Sequence, residues 1–91
     1  MTQIELIPDI DHCIETVAKQ RYAEIVRRLF TSGENNAELF EVGRILKNFL
    51  ETADFKKLRV ESERHLAEGK RVKLVLREDR EVQEYHLQVS P

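Results

Sequence analysis

The stretch that most restricts the fold is Lys70 to Val89, KRVKLVLREDREVQEYHLQV. Val72, Leu74 and Leu76 alternate with Arg71, Lys73 and Arg77, and Tyr85, Leu87 and Val89 alternate with Glu84, His86 and Gln88. Period-two alternation belongs to a strand with one wet face and one dry face. Two such runs on either side of a polar segment predict an antiparallel hairpin. A turn at Asp79 and Arg80 sets Leu76 opposite Gln83, Leu74 opposite Tyr85 and Val72 opposite Leu87, which brings both apolar rows to one face. A loop over Glu78 to Glu81 keeps the same parity. Parity is decisive, because a slip of one residue sends one row into water. The turn has no Gly or Asn for the positive φ angles of a type I′ connection, so a two-residue turn carries strain. A lone hairpin is marginal in water, and the rest of the chain must cover its apolar face.

Helical patterns precede the hairpin. Ile10, Ile14, Val17, Ala18, Tyr22, Ile25 and Leu29 recur at intervals of three and four residues, predicting a helix to about Phe30 with Asp9 or Asp11 as its N-cap. Acidic groups at Asp9, Asp11 and Glu15, and Arg27 and Arg28 in the last turn, suit the two ends of the helix dipole. Thr31, Ser32 and Gly33 form a break, with Gly33 suited to a left-handed C′ position. Asn35 or Asn36 caps a second helix carrying Leu39, Val42, Ile45, Leu46, Phe49, Leu50 and Ala53. Gly43 lies on that apolar face, where close approach by another backbone would explain it. From Asp54 to Glu68, Phe55, Leu58, Ser62 and Leu66 share one helical face, with Asp54 as cap and Gly69 as stop. FKKLRVES also alternates like a strand, but its strong helix formers favour a third, shorter helix. Residues 3–7, closed by Pro8, read as either an edge strand beside the hairpin or an extended lead-in.

The expected fold is therefore α+β: two long antiparallel helices, a shorter third, and a C-terminal antiparallel hairpin, with residues 3–7 as its candidate edge strand. A chain of 91 residues holds one domain, 1–91, and 41% hydrophobic with 35% charged residues is an ordinary globular balance. No apolar run approaches the roughly 20 residues of a membrane span. The N-terminus lacks a basic region followed by an apolar one, so no secretory signal is expected. A single Cys permits no internal disulfide, and a cytoplasmic location is the expectation.

Catalytic and metal chemistry find little support. His12 and Cys13 are adjacent and diverge by about 100° on a helix, and their spacing to His65 and His86 matches no zinc pattern. As a nucleophile, Cys13 gains from a helix start but is surrounded by Asp9, Asp11 and Glu15, with no third group to orient a base. Glu61 with Glu63, and Glu78 with Glu81, lie in wet charged stretches where carboxylate pKa values stay ordinary. Gly33, Gly43 and Gly69 are too far apart to cradle a phosphate. No enzyme, cofactor, metal or small-molecule substrate is expected.

Two non-catalytic readings remain. Helix faces wider than one hairpin can cover, with Tyr22, Val26 and Phe30 at their margin, predict a protein-interaction or regulatory module, a homodimer being one form of it. The alternative rests on charge. The net charge is −2, yet residues 56–80 carry nine Lys/Arg against five Asp/Glu, whereas residues 1–55 carry six against ten. Three helices followed by a hairpin resemble the winged-helix arrangement in element order, which implies nucleic-acid contact through Lys56, Lys57, Arg59 and Arg64 of the third helix and Arg71, Lys73 and Arg77 of the first hairpin strand. Against it stand Glu61, Glu63 and Glu68 on the same helix and the acidic tip EDRE. No motif of a known family is matched.

Overall fold

In the computed structural model, which describes residues 2–31, 36–80 and 82–91, β2 (Arg71–Asp79) and β3 (Val82–Ser90) form the antiparallel hairpin. Thr2–Leu6 is β1, an edge strand antiparallel to β2, so the sheet runs β1-β2-β3 with β2 in the centre. Ile7 lies outside it, because Pro8 ends the ladder. Ser90, at the far end of β3, is paired with Arg71.

The hairpin register differs by two residues from the expected one. Leu76 faces Tyr85, Leu74 faces Leu87, Val72 faces Val89, and the last pair is Asp79 with Val82. The reversal therefore falls after Asp79, with Arg80 at φ +50, a left-handed angle that a non-glycine residue occupies at a cost. A shift of two keeps parity, so the predicted face survives: Ile4, Leu6, Val72, Leu74, Leu76 and Leu87 all point to one side.

That side is roofed by three helices, α1 (Ile14–Thr31), α2 (Ala37–Thr52) and α3 (Phe55–Ala67). The core consists of Ile14, Ala18 and Ile25 from α1, Ile45, Leu46 and Phe49 from α2, and Leu58 from α3, against the sheet row. Phe49 is the pivot, with edge-on contacts to Phe55 (5.3 Å between centroids) and Tyr85 (5.2 Å). Where the sheet row turns polar, α2 meets it with polar groups: Asn48 donates to Gln83 (2.8 Å), Gln83 donates to the Ile45 carbonyl (3.2 Å), and Arg44 bridges Glu41 and Glu78.

Helix ends follow local chemistry. Asn36 accepts from the amides of Glu38 and Leu39, Asp54 accepts from Lys57, and Gly69 at φ +80 closes α3. The 54–68 segment is thus helical. Asn35, Ser32 and Gly33 lie outside the described residues. The start of α1 is later than the periodicity predicts. Asp9 spends its carboxylate on the amides of Asp11 (2.9 Å) and His12 (2.7 Å), folding a local turn instead of capping, so Ile10 is 84% exposed and α1 begins at Ile14.

Gly43 faces a side chain, Ile25, rather than another backbone: a Cβ there would meet Ile25 Cγ2 at 3.4 Å, ordinary van der Waals contact. Gly43→Ala is therefore expected to raise stability by about 0.5–1 kcal/mol through helix propensity. A urea midpoint moved upward at unchanged slope would bear this out; a lower midpoint would mean that Ile25 cannot yield.

Candidate protein-interaction surface

Only five residues separate Thr31 from Ala37, so α1 and α2 are antiparallel neighbours with the C-terminal end of one beside the N-terminal end of the other, and Ile25 lies against Gly43. Along this pair, burial fades toward the joined ends. Ile45, Leu46 and Phe49 are buried, Val26, Leu29, Leu39 and Val42 are half-buried, and Phe30 and Phe40 stand 85% and 66% exposed. Among the described residues, α2 meets the hairpin end of the sheet at Arg44, Ile45 and Asn48, two turns in from its own first residue.

Of the three residues named from the sequence, Phe30 lies on this surface, Val26 is half-buried beside it, and Tyr22 packs against the core. Phe40 was not singled out by periodicity, yet the signal was available. Leu39 and Phe40 are consecutive and diverge by about 100° on a helix, so a core that takes Leu39 must turn Phe40 outward. Arg27 and Arg28 are both exposed; Arg27 lies one turn before Phe30, whereas Arg28 is 3.7 Å from Glu24 on another side of the helix.

The seven basic residues of the alternative reading are divided by the sheet. Leu58 places α3 on the apolar side, where Lys56, Lys57, Arg59 and Arg64 occupy its exposed flank. Arg71, Lys73 and Arg77 alternate with Val72, Leu74 and Leu76 and so project from the opposite face. Acidic neighbours draw off part of the charge: Arg59 pairs with Glu63 (3.0 Å), Lys73 with Glu5 (3.4 Å) and Arg77 with Glu84 (3.5 Å). Lys56, Lys57 and Arg64 do share one shallow depression, but Asp54 and Glu61 line it with them.

Cys13 precedes α1 and borders a cavity of about 230 Å³ with Phe55, Lys56 and Arg59 at the start of α3. Its thiol is held below its ordinary pKa chiefly by the Thr16 hydroxyl at 3.3 Å, with Arg59 as a lesser cause, so the acidic surroundings do not dominate as the sequence suggested. A hydroxyl cannot serve as the base that nucleophilic catalysis requires. His12 turns its Nδ1 to the Asp9 carboxylate (3.1 Å), which holds the Asp9 pKa down. No group of three or more His, Cys, Asp or Glu side chains is placed to hold a metal among the described residues.

No helix is long and apolar enough to cross a membrane among the described residues. An uncharacterised protein of Archaeoglobus fulgidus is 44% identical over 50 residues, a match covering 53% of this chain and 59% of that relative. The alignment thus reaches about three-fifths of the relative's length. No solved structure matches. A protein-family model matches residues 2–87, and the chain belongs to that family.

Proposed function

We propose that this member of the family is a non-catalytic cytoplasmic module that works by protein contact through the joined ends of α1 and α2. The observation that carries the reading is the exposure of two phenylalanines near the joined helix ends, Phe30 and Phe40, each next in sequence to a half-buried leucine, Leu29 and Leu39. Phenylalanine side chains fixed on rigid helices lose little entropy on docking, and burying each is worth about 1.5–3 kcal/mol. Arg27, one turn before Phe30, supplies a charged group to the polar rim of such a contact. The partner this chemistry fits is a protein with an apolar cleft bordered by carboxylates.

Nucleic-acid binding keeps one supporting observation, the cluster of Lys56, Lys57 and Arg64. One experiment separates the two readings. A partner isolated with the full-length chain is tested for direct binding to the wild type, to Phe30→Asp/Phe40→Asp and to Lys56→Glu/Lys57→Glu, alongside a DNA and RNA gel shift at low salt. The aromatic variant is expected to weaken the protein contact on the order of a hundredfold, as loss of two anchor residues does. The charge variant should leave that contact unchanged. A protein contact insensitive to Phe30 and Phe40, or a salt-sensitive gel shift abolished by Lys56→Glu/Lys57→Glu, would overturn the proposal.

A further inference from the structure

Among the described residues the sheet ends at β3, a nine-residue strand paired on one side only. Long edges are normally blunted by charge, proline or cover, since their free backbone groups invite another strand. The opposite edge, β1, has five residues and is closed by Pro8. β3, VQEYHLQVS, has a single acidic side chain, Glu84, and no Lys, Arg or Pro. Its helix-side row is only partly roofed, with Tyr85 and Val89 38% and 39% exposed. Beside that row runs a groove of about 280 Å³ between β3 and the first turns of α3, lined by Tyr85, Leu87, Leu58 and Lys57 among others. An added strand would have backbone partners on one side and a place for its side chains on the other.

We infer that the occupant is β3 of a second copy, added antiparallel about a two-fold axis at Tyr85. The edge of β3 is self-complementary. In any two-fold antiparallel pairing a residue meets a partner residue of the same parity, so the half-covered row of one copy meets that of the other on the same face. With the axis at Tyr85, the two tyrosines face each other, Gln83 faces Leu87, and on the outer face Glu84 meets His86 twice. An imidazole donates an N–H to a carboxylate in either protonation state. Moving the axis to Glu84 sets two carboxylates against each other, and moving it to His86 leaves Glu84 opposite Gln88. Of these three registers, the one at Tyr85 sets the carboxylate against an imidazole and the two tyrosines against each other. This dimer uses none of the α1 and α2 surface and stands or falls apart from it.

Sedimentation equilibrium of the full chain tests it, with Glu84→Lys, His86→Glu, their double variant and Phe30→Asp/Phe40→Asp. Glu84→Lys brings a cation to His86 and Arg77, and His86→Glu sets two carboxylates opposite each other, so each single change should weaken the dimer about tenfold or more. The double variant exchanges the partners and should return the dissociation constant to within about threefold of wild type. The aromatic variant should leave it unchanged. Circular dichroism of each variant checks folding, and both positions are exposed. A monomer throughout, a dimer indifferent to the single changes, weakening that the double variant does not restore, or a dimer dissolved by Phe30→Asp/Phe40→Asp would each overturn the inference. The last would return self-association to the helix ends.

Discussion

Phe49→Ala is expected to cost about 3–5 kcal/mol. Phe49 is fully buried, contacts Phe55 and Tyr85 edge-on, and sits where α2, the start of α3 and β3 converge. Truncation loses the transfer energy of the ring and opens a cavity that cannot close, because its walls belong to three elements anchored elsewhere. A domain of 91 residues is stable by about 5–14 kcal/mol, so this one side chain carries from about a fifth of the margin to nearly all of it. For a chain of this size each kcal/mol is worth about 4–8 °C, and calorimetry should find the midpoint lowered by about 12–40 °C. A loss below about 1 kcal/mol would mean that Phe49 is not the pivot of the core.

Leu74→Asp should do more, and its effect should depend on pH. Leu74 is fully buried in the central strand, with Leu6 and Leu87 as cross-strand neighbours. A carboxylate there has no cation within the apolar row, and burial of an unpaired charge costs several kcal/mol beyond the lost packing. The folded state favours the neutral acid, so its folded pKa lies above the unfolded one. The penalty is then smallest below the unfolded pKa and grows as pH rises toward the folded pKa. The variant should be largely unfolded at neutral pH and regain structure in mild acid, whereas Leu74→Asn should be destabilised without that pH dependence. Circular dichroism across this range would show it. Equal stability of the Asp variant at neutral and mildly acid pH would place residue 74 in contact with water.

The parts of this fold visible in the sequence are those set by periodicity. Period-two alternation placed Val72, Leu74, Leu76 and Leu87 on one face because parity survives any even error, and the same indifference hid the two-residue error in register. Only turn chemistry could have resolved it, and a turn without Gly or Asn, with Arg80 forced to φ +50, gives no such signal. Ile10 fits the spacing of α1, but the Asp9 carboxylate binds the next two available amides and turns the chain before the helix can start. Val75 is a further case: it lies on the charged outer face yet is buried, between Glu5 and His86 on the neighbouring strands. The ion pair of Glu5 with Lys73 lies beside it, and such covering is a property of the assembled sheet.

The candidate surface was legible by half. Phe30 closes an apolar series and was visible as marginal, while the burial of Tyr22 depends on where the other helices lie, which no local pattern states. The basic residues are similar. Nine cations within 25 positions read as one patch, but their convergence depends on which side of the sheet α3 packs, and α3 packs opposite Arg71, Lys73 and Arg77.

Each of these surfaces is what remains after β2 is taken as the innermost element, enclosed by β1, β3 and the helices. Native-state hydrogen exchange measures that enclosure directly. The amides of Leu74, Val75 and Leu76 should be the slowest in the chain and exchange only with global unfolding, while those near Phe30 and Phe40 open at far lower cost. Central-strand amides that exchange as readily as those at the joined ends of α1 and α2 would contradict the account.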